Sequence, residues 1–151
     1  MAANMAFSPL QMKQLLFTKI EVEAYEYPDG AEVPWAPTFD FEGVTINTEV
    51  MTATQEGQEE DPRNFLVMVK VAIPNSTESD KPAPYTVDIH AQAWFELAPE
   101  FEKEKRESIV AVNGSSMIVG AIRETLTQLT ARSLFGPLTL PSLRFLPEQK
   151  S

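Results

Sequence analysis

The sequence predicts an α+β fold: a four-stranded antiparallel sheet with one long helix packed on it. Three observations predict it. Four segments, at 16–24, 38–51, 65–73 and 85–97, alternate apolar and polar residues at the period of two that marks a strand. One run without proline, from Ser115 to Ser133, repeats apolar residues at helical spacing. All 12 prolines lie outside the proposed strand and helix cores. Strands in succession followed by a helix give an antiparallel sheet covered on one face.

In the first strand Leu16, Thr18, Ile20, Val22 and Ala24 take one side and Phe17, Lys19, Glu21 and Glu23 the other. Pro28, Gly30, Pro34 and Pro37 then forbid regular pairing, so 27–37 reads as a long loop carrying Trp35. In the second strand Phe39 and Phe41 lie on odd positions while Val44, Ile46 and Val50 lie on even ones. A bulge at Gly43 is the expected cause of that phase switch. Residues 53–63 are polar and acidic, a solvated turn. The third strand is apolar on much of both faces, which puts it in the middle of the sheet. The fourth, from Tyr85 to Leu97, alternates most regularly.

The charged stretch at 100–107 reads as a short exposed helix or turn with an opposite-charge pair, Glu102 and Arg106, one helical turn apart. Asn113-Gly114-Ser115 reads as a turn and N-cap that opens the long helix. Ile118, Ile122, Leu126 and Leu129 form its apolar stripe, and the helix should run about 28 Å. Gly120 and Ala121 are small enough to admit another backbone closely. Gly136-Pro137 ends the helical region, and Leu138, Leu140, Leu143 and Phe145 make an extended tail that should pack back on the core.

The length of 151 residues suits a single domain over 1–151, with 1–13 and 147–151 as expected flexible ends. The formal charge of −10 makes nucleic acid and anionic lipid poor partners. With no cysteine, a disulfide framework, a thiolate zinc site and a cysteine nucleophile are all excluded. The start has neither a basic nor a strongly apolar leader region, and no run of 18 apolar residues occurs, so a cytoplasmic protein without membrane insertion is expected.

The chemistry-bearing residues are few. His90 is the only histidine, between Asp88 and Gln92 on the polar phase of the fourth strand. An Asp88/His90 acid-base pair is the one enzymatic constellation available, and a surface histidine is the plainer reading. No phosphate-binding, nucleophile-elbow or metalloprotease motif occurs, and neither cofactor nor metal is expected. The acids at 56–61 lack the calcium-loop spacing. Asn75-Ser76-Thr77 matches a glycosylation sequon that a cytoplasmic chain would not use. Trp35 and Trp94 fall on loop and polar-phase positions, where both would line a surface groove.

In its last third the sequence resembles the SecB family of export chaperones. Ile122-Arg123-Glu124, Arg132, Phe135, Leu138, Leu140 and Phe145 follow that family's helix-to-tail pattern without a gap. Phe17-Thr18-Lys19 resembles the opening of its first strand, and Trp35-Ala36-Pro37 the Trp-x-Pro before its second. The resemblance spans about residues 10–146. It implies a non-enzymatic chaperone, a homo-oligomer built as a dimer of dimers. Such a protein binds unfolded preproteins or other non-native polypeptides and keeps them competent for translocation. Trp35, Pro37 and Phe39 would then bind the client in a groove between their loop and the long helix. Asp88, with Glu21 and Glu23 matched more loosely, would dock the translocase motor SecA. The family's C-terminal helix and tail have no counterpart in these 151 residues, which puts motor contacts made through them in question. Two other readings predict different behaviour. A SecB-like chaperone dedicated to an antitoxin would bind one client tightly. A small α+β enzyme using Asp88 and His90 would have a bell-shaped pH profile.

Overall fold

The computed structural model describes residues 3–76 and 81–146. Four strands, β1 (Leu10–Ala24), β2 (Asn47–Thr54), β3 (Asn64–Ile73) and β4 (Tyr85–Leu97), precede one helix, α1 (Lys103–Thr130). All neighbours in the sheet are antiparallel, in the order β1-β4-β3-β2. The expected architecture is therefore the one observed, with β3 and β4 in the middle.

Strict alternation on β3 and β4 buries one face completely. Phe65, Val67, Val69, Val71 and Ile73 meet Tyr85, Val87, Ile89, Ala91, Ala93, Phe95 and Leu97 under the helix, which contributes Val110, Ile118, Ile122 and Leu126. A fully buried side chain of this size contributes about 1.5–3 kcal/mol, so this layer dominates the stability. The tail packs back as expected. Leu138 and Leu140 are buried, and Arg123 Nε donates to the Leu140 carbonyl at 3.0 Å. The Thr130 hydroxyl accepts the Leu138 N–H at 2.8 Å.

The helix differs from expectation. It is a single element of 28 residues, about 42 Å long, and neither breaks nor begins at Asn113-Gly114. Asn113 turns its amide onto the Ile109 carbonyl one turn back, at 2.8 Å, and caps nothing. A Cβ on Gly114 would lie 3.1 Å from Phe95 and 3.3 Å from Val67, so this glycine lets the helix axis descend onto the sheet. Gly120, the glycine expected to do so, would meet nothing within 4 Å. The charged stretch before it is the helix's first turns. There Arg106, expected to pair with Glu102, is buried instead. Its guanidinium binds Asp61 at 2.6 Å and donates to the carbonyls of Pro62, Pro99 and Phe101. This arginine ties the helix start to the β2–β3 turn.

Two strands also depart from their predicted bounds. β1 starts at Leu10, inside the segment expected to be flexible, and its register shifts between Met12 and Gln14 and between Phe17 and Lys19. The second shift puts Phe17 with Ile20 and Val22, opposite the buried Ala91, Ile89 and Val87, and turns Leu16 outward. Residues 38–46 are not strand. The Asp40 carboxylate accepts the Glu42 N–H, Val44 N–H donates to Phe41, and Gly43 turns at φ 87. What read as a bulge is a tight turn, with the Phe39 and Phe41 rings edge to face at 5.0 Å.

Candidate functional site

Beyond the end of β1 the alternation continues for one more cycle, and Tyr25 and Tyr27 point the same way. Their rings meet edge to face at 4.8 Å, and Tyr27 meets Phe135 in the same manner at 5.6 Å. Tyr25 N–H donates to Pro84 at 2.8 Å, which holds this extension beside the start of β4. The chain then doubles back through Pro28 and Pro34 into a short 3-10 turn, Ala36–Thr38. Between these pieces lies a cleft of about 550 Å³. Tyr25, Tyr27, Trp35 and Phe39 supply its rings, Pro28, Pro34 and Pro82 its remaining apolar wall, and Glu32 and Asp40 its acids. Its cation, Lys81, sits 4.8 Å over the Phe39 ring and donates to the Asp40 carbonyl.

Trp35 is 58% exposed, yet one edge of its ring rests on Gly136 so closely that a Cβ there would come within 2.7 Å of Cη2. Gly136, at φ 83, is therefore required both by its conformation and by the indole. Ala36 N–H donates to the Phe135 carbonyl at 3.0 Å. The Tyr85 hydroxyl donates to Gly136 at 2.8 Å and accepts the Phe135 N–H at 2.9 Å. The indole is thus braced from below while most of its surface faces the cleft. Burial raises the Tyr27 and Tyr85 phenols above their ordinary range. The Tyr27 hydroxyl is the only buried side-chain polar atom without a hydrogen-bond partner among the described residues.

Of the residues expected to bind a client, Trp35 and Phe39 line this cleft, and Pro37 does not, being taken up in the 3-10 turn. The cleft is also not between the loop and the helix: no α1 residue lines it. Tyr25, Tyr27 and Lys81 were missed. The first two had a signal, an aromatic pair two residues apart that prolongs the alternation of β1 up to Pro28; Lys81 lies in a polar loop and had none.

The fold has counterparts of known structure. The chain matches a SecB-like chaperone of Mycobacterium tuberculosis, solved in complex with a ChAD peptide from the HigA1 antitoxin. Identity is 18% over 89% of this chain and 87% of that one, with a TM-score of 0.52. It also matches a protein of unknown function from Streptococcus agalactiae, at 12% identity over 87% of this chain and 96% of that one, with a TM-score of 0.52. At such identities the likeness is one of fold. No family model and no curated protein matches the chain.

The acids expected to dock a basic partner lie together on the sheet face away from the helix, but not as free charges. Lys19 Nζ is 2.6 Å from Asp88 and 3.7 Å from Glu21, and His90 Nε2 is 2.9 Å from the second Asp88 oxygen. The hydrogen bond from Lys19 is the main reason the Asp88 carboxyl titrates below its ordinary range, and it raises the Lys19 ammonium in return. Glu23 is exposed at the end of the row. The same face continues into an apolar area of Leu16, Met51, Met68, Leu66 and Trp94, so Trp94 belongs to the open sheet and not to the aromatic cleft. A second cleft of about 500 Å³, between β2, α1 and the tail, is lined by Glu104, Glu107 and Leu146. Neither cleft includes Asp88 or His90. No group of three or more metal-ligating side chains occurs among the described residues, and no helix there is long and apolar enough to cross a membrane. The sequon asparagine, Asn75, is buried and exchanges hydrogen bonds with Ala83, while Thr77 lies outside the described residues.

Proposed function

We propose that this protein is a SecB-like chaperone that holds non-native polypeptides by their apolar side chains in the aromatic cleft. The observation that carries the reading is Trp35, a large indole held from below and left 58% exposed at the mouth of an apolar cavity. Each client side chain buried there is worth about 1.5–3 kcal/mol before the cost of ordering the client. Several clefts on one homo-oligomer, a dimer of dimers in this reading, raise the effective concentration and retain a long client through modest sites. The charge of −10 keeps such an assembly soluble.

For the client we favour unfolded preproteins kept ready for export. A dedicated antitoxin client is the second reading, favoured by the antitoxin peptide bound to the structural neighbour. Asp88, Glu21 and Glu23 are assigned to docking a basic partner such as the translocase motor SecA, which must displace Lys19 to reach Asp88. Asp88→Lys is expected to weaken that docking and leave client binding intact; loss of both removes the division of labour.

The test is size exclusion with light scattering on the protein mixed with reduced, carboxymethylated α-lactalbumin, with the folded form as control. Co-elution of the unfolded form alone supports the reading. Trp35→Ala is expected to weaken that complex about tenfold or more, as loss of one buried indole contact should. Unchanged affinity in Trp35→Ala, or equal capture of the folded control, overturns it.

A further inference from the structure

We infer that the cleft is occupied, when no client is bound, by the N-terminal arm of a second copy of this chain. Met5 and Phe7 are 97% and 98% exposed, more than any other large apolar side chain among the described residues. They belong to a stretch that carries no charged residue before Lys13, in a chain that is 23% charged. An uncharged apolar arm is the right chemistry for a cleft of four aromatic rings in which two carboxylates, Glu32 and Asp40, outnumber the one cation, Lys81, and disfavour an acidic segment.

Reach decides whose cleft it fills. Phe7 lies three residues before Leu10, at most about 10 Å, and Met5 at most about 17 Å. The cleft begins at Tyr25, beyond the far end of the 15 residues of β1, about 45–50 Å away. The arm cannot reach the cleft of its own chain. A second copy brings one within reach through β1, an edge strand whose outer N–H and C=O groups have no partner in the sheet. It is the longer edge, 15 residues against eight in β2. Leu16 and Ile20, on opposite faces of β1, are 44% and 45% exposed for want of a neighbour there.

Two-fold symmetric pairing of this edge is antiparallel. Full overlap sets Leu10 of each copy against Ala24 of the other and continues outward to set Phe7 against Tyr27. A slip of two residues either way leaves Phe7 beside Tyr25 or Asp29, still at the cleft. The arm is thus a built-in competitor that a client displaces. The contact itself stands apart from the chaperone reading; only the competition rests on it.

The experiment uses the full chain with Trp94→Phe, which leaves Trp35 as the only tryptophan. In the dimer, Met5→Asp with Phe7→Asp is expected to shift Trp35 emission to the red. If the arm fills nine clefts in ten, the same substitutions raise apparent affinity for carboxymethylated α-lactalbumin about tenfold. Mixing this variant with an arm-bearing copy that carries Trp35→Ala should return the emission to the blue, since the new arm can arrive only from the partner. A monomeric mass at every concentration, or Trp35 emission that ignores both the substitutions and the mixing, overturns the proposal. A Trp35 shift without client binding by either form upholds the arm and sinks the chaperone reading instead.

Discussion

The layer between helix and sheet and the aromatic cleft use similar side chains to opposite ends. Under α1 the rings and branched chains of β3 and β4 are closed off completely, and Gly114 leaves less space than a methyl group needs. At the cleft the rings touch one another in a chain from Tyr25 through Tyr27 and Phe135 to Tyr85, and Trp35 is propped against Gly136 with its outer surface bare. Packing alone specifies the first region. The second is held at its base by hydrogen bonds among backbone groups and the Tyr85 hydroxyl, which fix the segments bearing the aromatics and leave the outer surface of Trp35 free. Exposed apolar surface can be kept rigid when polar groups bear the load of holding it.

The largest test of that contrast is Gly114→Val. Its branched side chain must enter space already filled by Phe95 and Val67, and a loss of about 3 kcal/mol or more is expected in urea unfolding. A small loss would mean that the helix can lift and that the layer is not packed to its limit. Tyr85→Phe probes the base of the cleft. It removes one hydroxyl that both donates to Gly136 and accepts from Phe135, at a cost of about 2 kcal/mol, and should loosen Trp35, read as a change in its near-ultraviolet dichroism. A stability loss with Trp35 unmoved would separate the brace from the indole. Gly120→Ala has no contact to meet and should stabilise the monomer by about 1 kcal/mol, so the same helix holds two glycines whose replacement has opposite signs.

The smallest effect is electrostatic and touches neither region. The Asp88 and Asp61 carboxyls are held down by hydrogen bonds from Lys19 and Arg106, so their folded pKa values lie below the unfolded value of about 3.9. Their contribution is complete above that value and is lost as the pH falls below about 4 through the folded ones. Acid titration of Asp88→Asn should show a shallower loss of stability there than the parent. Asp61 is well exposed and Asp88 half-buried at the sheet surface, and water in reach of both keeps the effect small.

Why some of this was legible and some was not follows from the range of the signals. β3 and β4 were readable because one face of each is buried without interruption under the helix, which dictates the alternation residue by residue. β1 was half readable: an edge strand tolerates bulges, and each of its two register shifts inverts the apparent phase. The helix start was misplaced because Asn-Gly-Ser is locally a turn, and the reason for a glycine inside the helix, the close approach of the Phe95 and Val67 side chains, lies on the sheet and not in the local sequence. At the site, Trp35 and Phe39 stood out as aromatics in a proline-framed loop. The cleft they share with Tyr25 and Lys81 depends on contacts between distant segments, which no local pattern carries. Likewise the charge row at Asp88 read as free acid because its neutralising lysine lies 69 positions away.

The base of the cleft joins segments about 100 residues apart in sequence: Trp35 and Ala36 rest on Phe135 and Gly136, and Tyr85 holds both in place. During synthesis Tyr25, Tyr27 and Trp35 leave the ribosome about 100 residues before Phe135 and Gly136, their support. Until then the sheet can pair but the aromatic wall has no floor. Until that floor has emerged, a nascent copy has no finished cleft with which to seize its own unfolded segments or a neighbour's, and the cleft is completed only after the sheet and the helix have been made.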